Sequence, residues 1–234
     1  MKDQYVGAIF ARGGSKGLPK KNIKYFNGKP LIAWAIQDAL SIDRISRVIV
    51  STDCEEIART AIENGAEVPF LRPKQLAGDT SPEFLAWRHA IDHLHRASGD
   101  LPKALVSIPT TSPLRVPLDI ENCLNCYEKG NADAVITVTE SHRNPYFNMV
   151  RREEDSSFNL VCGADGIARR QDAPNVFDMC TIAYVLKPSF VLAKEALFDG
   201  RVEAVTIPKS RSIDIDSALD FELAEFLHKK FNLI

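Results

Sequence analysis

Short apolar runs alternate along the chain with longer stretches in which apolar positions recur at helical spacing. Six runs read as strands: 6–11, 47–52, 103–108, 134–139, 182–186 and 202–207. Those around Val6, Val48 and Ala134 are almost continuously apolar, as strands are when helices cover both faces of their sheet. Between the runs lie five amphipathic stretches, at 31–40, 55–64, 82–96, 118–128 and 217–230. Asp53 stands where an N-cap for the second of these would be wanted, and Gly65 where a left-handed residue would close it. The alternation predicts an α/β fold, a mostly parallel sheet flanked by helices, in one domain spanning 1–234.

Residues 140–180 break the rhythm. The stretch is polar, carries the charged run 151–155, and exceeds the roughly 15 residues of an ordinary connection. It reads as an inserted subregion that covers a site or contacts a partner subunit.

Charge narrows the function. With 29 Lys+Arg against 31 Asp+Glu, the chain lacks the dominant basic field that nucleic-acid or membrane-surface binding needs. No stretch approaches the roughly 18–20 apolar residues of a membrane span, and the N-terminal region does not read as a signal peptide. Cys54, Cys123, Cys126, Cys162 and Cys180 are odd in number and scattered, which suits free thiols in a reducing cytoplasm. Cys123 and Cys126 form a C-x-x-C on a helical stretch without a second pair to complete a zinc site, so a packing role is expected. His89 and His93, with Trp87, share one helical stretch and are expected to pack or face solvent.

The chemistry gathers after the first strand, where Ala11-Arg12-Gly13-Gly14-Ser15-Lys16-Gly17-Leu18-Pro19-Lys20-Lys21-Asn22 combines glycines with four cations. Glycines let the backbone approach a ligand and turn its N–H groups toward it, and the cations suit phosphate. In an open α/β sheet, ligands collect at the carboxyl end of the first strand. The loop fits neither the Walker pattern nor the dinucleotide fingerprint.

Four further motifs follow in order: Ile49-Val50-Ser51-Thr52-Asp53; Leu71-Arg72-Pro73 with Leu76-Ala77-Gly78-Asp79-Thr80; Thr111-Ser112-Pro113-Leu114-Arg115; and Ser212-Ile213-Asp214-Ile215-Asp216. With the first loop, this set resembles the acylneuraminate cytidylyltransferases, the CMP-sialic acid synthetase family. The resemblance implies a Rossmann-like nucleotidyltransferase fold, CTP as donor, a free keto-sugar acid as acceptor, Mg2+ and a homodimer. Residues 140–180 would be its projecting dimerisation and sugar-site subregion. The reaction implied is attack by the anomeric hydroxyl of a sialic-acid-like nonulosonic acid on the α-phosphate of CTP, releasing pyrophosphate.

The resemblance assigns Arg12, Lys16 and Lys21 to the triphosphate, with Ser15 and the backbone of Gly13 and Gly14 donating hydrogen bonds, and Asn22 and Arg72 to ribose and cytosine. Asp214 and Asp216 become the metal ligands; alternate residues of an extended segment point the same way, and hard oxygens suit Mg2+. Local sequence alone reads them as a loop residue and an N-cap of the last helix. Arg115 would meet the nucleotide or the sugar carboxylate, unless it is simply a surface arginine before a helix. Arg170 would meet an anionic group of the sugar, and His142 would address the sugar.

Two departures bear on the acceptor. The family's L-Q-P-T-S-P-L-R is here Ser107-Ile108-Pro109-Thr110-Thr111-Ser112, without the glutamine. The arginine that family members carry eight residues after an R-Q pair is here Asp178. A carboxylate in place of a cation points to an acceptor other than ordinary N-acetylneuraminic acid. The rival expectations are a cytidylyltransferase for Kdo or another keto-sugar acid, and a nucleotide-binding regulatory protein without catalysis.

Overall fold

A computed structural model describes residues 4–163, 166–167 and 169–231. The apolar runs become strands, and the amphipathic stretches become the helices that cover them. In chain order the elements are β1 (Tyr5–Phe10), a tight hairpin β2 (Tyr25–Phe26) and β3 (Lys29–Pro30), α1 (Leu31–Leu40), β4 (Ile45–Ser51), α2 (Glu55–Glu63) and α3 (Glu83–Ser98). There follow β5 (Ala104–Ser107), α4 (Pro117–Glu128), β6 (Ala134–Glu140), a second small hairpin β7 (Val150–Arg152) and β8 (Phe158–Leu160), and β9 (Phe177–Leu186). The chain then runs through α5 (Pro188–Ala193), β10 (Val202–Thr206) and α6 (Ala218–Lys230).

Six strands form one sheet in the order β10-β6-β9-β5-β1-β4. β1 runs parallel to β4 and β5, and β6 parallel to β10. β9 lies antiparallel between β5 and β6. Alternate side chains of each strand enter opposite cores, as a two-faced sheet requires. Ile9 and Val106 join Ile36, Ile57 and Leu124 on one face, under α1, α2 and α4. Val6 and Leu105 join Trp87, Ile91 and Phe190 on the other, under α3 and α5. Full burial of each large side chain contributes about 1.5–3 kcal/mol. α6 closes a separate cluster with the first hairpin, where Phe26 meets Phe221 edge-on at 5.5 Å between ring centres.

The structure departs from the sequence pattern in instructive places. The short strand expected at 182–186 begins at Phe177, because its first half pairs with the end of β6 while keeping exposed side chains (Asp178 opposite Thr139) and so lacks an apolar signature. α5 has six residues, too few to show a helical period. Asp53 does not cap α2: Cys54 holds the N-cap position without a side-chain bond, and the Asp53 carboxylate accepts from the Gly13 N–H at 2.9 Å instead. Gly65 does close α2, at φ +91°, donating to the Ile62 carbonyl. The last helix is capped by Ser217 in a reciprocal box with Asp220, so Asp216 is not its N-cap.

Candidate active site

From β1 the sheet grows one way through β4 and the other way through β5, so the strand order reverses beside β1. An open α/β sheet leaves a crevice at the carboxyl ends of its strands at such a point. A cavity of about 580 Å3 lies there, lined by the loop after β1, the segment from Arg72 to Glu83, Pro109–Thr111 after β5, Thr181 of β9, and Asp216.

The loop after β1 is held from both sides. Asn22, buried, donates from Nδ2 to the Arg12 carbonyl at 2.9 Å and accepts from the Thr110 hydroxyl at 2.6 Å, tying the loop to the end of β5. Gly17 abuts the last segment so closely that a Cβ there would stand 2.2 Å from the Asp216 carbonyl oxygen. Gly17 lines the cavity, whereas Gly13 and Gly14 do not, and the Gly13 N–H is already directed at Asp53. The expected phosphate contacts from those two glycines therefore have no support in the cavity's lining. Lys20, in the left-handed region at φ 54°, turns away to pair with Glu56.

Arg12, Ser15, Lys16 and Lys21 all line the cavity, as the loop's chemistry requires. Asp79 bridges two of these cations, accepting from Arg12 at 2.7 Å and pairing with Lys16. Those contacts, Lys16 foremost, hold the Asp79 carboxyl below its usual range. The Lys21 ammonium meets the Ile215 carbonyl and, at 3.1 Å, the Asp216 carboxylate. Asp79 and Thr181 belong to the site without having been expected there.

Arg72 is 6% exposed, lines the cavity, and is anchored by its backbone N–H on the Thr52 carbonyl at 2.7 Å. Among the described residues its side chain has no hydrogen-bond partner, and Nε is fully buried. Burial works against its charge, while Asp53 and Glu83 support it. Glu83, on the first turn of α3, accepts from the Trp87 indole at 3.3 Å. It opens onto the cavity but has protein packed round it, and that surrounding raises its carboxyl.

Asp214 and Asp216 flank the buried Ile215, whose N–H donates to the Thr111 carbonyl at 2.8 Å and pins the segment beside the cavity. Asp214 keeps one carboxylate oxygen, Oδ1, buried without a partner, and burial pushes its carboxyl up. Asp216, mostly exposed, lines the cavity, whereas Asp214 does not. An orphaned hard oxygen beside a second carboxylate is a donor set that fits a divalent cation. Among the described residues no group of three or more His, Cys, Asp or Glu could hold a metal unaided, so a ligand's phosphate oxygens and water would complete the shell.

Besides Gly13, Gly14 and Asp214, three further expected residues lie outside the cavity's lining. Arg115 does not line the cavity: its side chain is fully buried, paired with Asp38 at 2.8 Å and donating to the Pro109 and Ile182 carbonyls. Arg170 lines a second cavity of about 220 Å3 with Glu140, Asn144 and Phe177. It donates to the His142 carbonyl at 3.1 Å, and the His142 side chain is exposed outside that cavity. Both cavities border β9, at Thr181 and Phe177, four residues or about 13 Å apart. The C-x-x-C is packing: Cys123 is fully buried with its thiol pushed up by desolvation, and the Cys126 thiol donates to Glu203.

A family model described as cytidylyltransferase matches residues 6–149. Post-translational flagellin modification protein B of Campylobacter coli is 33% identical over 228 residues, covering 96% of this chain and 95% of that protein. CMP-N,N'-diacetyllegionaminic acid synthase of Campylobacter jejuni is 33% identical over 226 residues, again 96% and 95%. A solved CMP:2-keto-3-deoxy-manno-octonic acid synthetase complexed with CTP superposes with a TM-score of 0.73 at 14% identity, covering 98% of this chain and all of that one. That likeness shows the Rossmann-like nucleotidyltransferase fold.

Proposed function

The chain belongs to the cytidylyltransferase family, and from that premise we propose that it transfers CMP from CTP to the anomeric hydroxyl of a sialic-acid-like nonulosonic acid. The observation that carries this reading is the convergence of Arg12, Lys16, Lys21 and Asp216 on one cavity at the sheet's switch point. The anomeric oxygen forms a bond to the α-phosphorus, the bond from that phosphorus to the β-phosphate breaks, pyrophosphate leaves, and the hydroxyl loses its proton. Such a transfer needs alignment and charge neutralisation rather than a covalent enzyme intermediate.

Arg12 and Lys16 hold triphosphate oxygens by exchanging Asp79 for phosphate, and Ser15 donates a hydrogen bond beside them. Lys21 orients Asp216 and faces the developing negative charge. Asp214 and Asp216 would hold Mg2+, which supplies charge neutralisation at the phosphates. Asn22 and Arg72 face the nucleoside, and Arg115 supports the Pro109 loop rather than touching substrate. Arg170 and His142 mark the sugar's end.

The acceptor is a nonulosonate other than plain N-acetylneuraminic acid. The legionaminic acid synthase among the relatives supports that class, and Pro109 and Asp178 stand where the family places glutamine and arginine. Kdo is supported only by a fold likeness at 14% identity.

The protein works as a cytoplasmic homodimer, joined through the 140–180 subregion. There Phe147, Met149, Val150, Phe158, Phe177 and Met179, on and around the second hairpin and the start of β9, are each exposed, and a partner subunit would cover them.

Pyrophosphate release with CTP, Mg2+ and a panel of free keto-sugar acids tests the reading. Release is expected only when CTP and one nonulosonate are both present. Binding of CTP without turnover of any acceptor would favour a regulatory nucleotide-binding protein instead.

A further inference from the structure

The cavity is built for an anion, yet one wall carries Glu83, a carboxylate that no cation pairs with among the described residues. The same cavity is lined by Arg72, whose buried guanidinium has no hydrogen-bond partner among the described residues either. The two are near enough for each to shift the other's ionisation. No ion pair joins them, although a buried arginine ordinarily has its donors satisfied. A donor and an acceptor are thus left unpaired in the lining of one cavity. The same lining also has apolar members, Phe10, Leu76 and Ala86, while the phosphate-type cations Lys16 and Lys21 belong to the loop after β1.

We propose that Glu83 is the residue that distinguishes cytosine from uracil, accepting from the exocyclic N4 amine while Arg72 donates to the O2/N3 side of the ring. This rests on the reading of the protein as a CTP-dependent transferase and adds to it the basis of base choice. Cytosine presents an amine donor beside ring acceptors, which a carboxylate and a guanidinium match in one plane. Uracil has the same size and shape but carries a carbonyl oxygen in place of the amine and an N–H at N3. Its O4 would face the Glu83 carboxylate lone pair to lone pair, and its N3–H would face Arg72 donor to donor. The discrimination therefore comes from repulsion of the wrong base as much as from attraction of the right one.

The bond from the Trp87 indole to Glu83 Oε1 fixes the carboxylate in place. The side chain begins the first turn of the sixteen-residue α3, where the positive helix end, the Trp87 bond and Arg72 support the ionised, accepting form against the burial that raises its carboxyl. Base choice is thereby built onto a rigid element rather than a loop.

Calorimetric titration of CTP and of UTP into the full chain with Mg2+ tests this without an acceptor sugar, alongside a melting curve for each variant. Wild type is expected to bind CTP at least about tenfold more tightly than UTP. Glu83→Gln, whose amide can turn its donor toward O4, is expected to narrow that ratio about tenfold, chiefly by tightening UTP. Glu83→Ala is expected to weaken CTP and, by removing the repulsion of O4, to tighten UTP by a smaller margin than Glu83→Gln does. If both variants melt as wild type does and keep its CTP:UTP ratio, Glu83 does not read the base. A wild type that binds both nucleotides equally overturns base selection at this pair while leaving the transfer reaction standing. A wild type that binds neither sinks the CTP reading itself, and this inference with it.

Discussion

At Asp214 the carboxylate oxygen Oδ1 is buried without a hydrogen-bond partner, the nearby Thr111 and Thr181 hydroxyls offsetting only part of the carboxyl's burial, and that single atom ties the site's chemistry to its stability. A buried unsatisfied polar atom costs about 1–3 kcal/mol, more when charged. Asp214→Asn removes the charge and keeps the shape. In chelator, the variant is expected to melt higher than wild type by about 2–4 °C for each kcal/mol relieved, while pyrophosphate release falls by at least about 100-fold. A melting point at or below that of wild type would show that Asp214 is not held at a cost for a ligand. The loop cations sit in one local motif and could be read there, whereas Asp214 and Asp216 were read as metal ligands only through the family resemblance, since their local sequence suits a loop residue and a cap. Asp79 and Thr181 were not legible, since what matters about them is which side chains the fold brings alongside. Asp79 stands 67 residues from the Arg12 it pairs with, and no local pattern records such a meeting.

Among the elements, the buried Arg115 fastens three of them: Asp38 on α1, the Pro109 carbonyl after β5, and the Ile182 carbonyl in β9. Cutting one partner of a buried pair leaves the other charge uncompensated, typically at about 3–5 kcal/mol. Arg115→Ala is expected to lose that much in urea unfolding, and adding Asp38→Asn is expected to restore part of it, since the coupling is lost only once. If the double variant is simply the sum of the two single ones, the strut carries no load. The motif containing Arg115 was visible, but its role was not: a terminal Arg reads alike whether it faces a ligand or crosses to a helix 77 residues away. Long apolar strands and periodic helices were legible throughout. β9 showed only its apolar half, because its other half pairs through backbone alone.

On the scale of the whole molecule, the second hairpin and the start of β9 carry exposed apolar side chains that belong to neither of the sheet's two cores. Phe158→Glu, on β8 and 63% exposed, is expected to convert a dimer to a monomer in light scattering without lowering the melting point of the monomeric fold. A variant that stays dimeric would move the interface elsewhere. That 140–180 breaks the alternation was plain from its length and polarity, although its two ends, Glu140 and Phe177 onward, belong to the central sheet. The pairing of β7 with β8 was not, since three-residue strands leave too few positions for alternation to register.

The antiparallel placement of β9 also sets a schedule for the chain as it is made. β5 is finished at Ser107, yet its neighbour on one side begins only at Phe177 and is complete at Leu186. Between those moments the nascent protein holds half a sheet with a bare hydrogen-bonding edge, the kind that recruits stray strands. β6 must wait as well, because β9 is what joins it to β5. The Thr181 wall of the cavity arrives with that same strand, so a ribosome carrying an incomplete chain carries a phosphate loop but not yet a site.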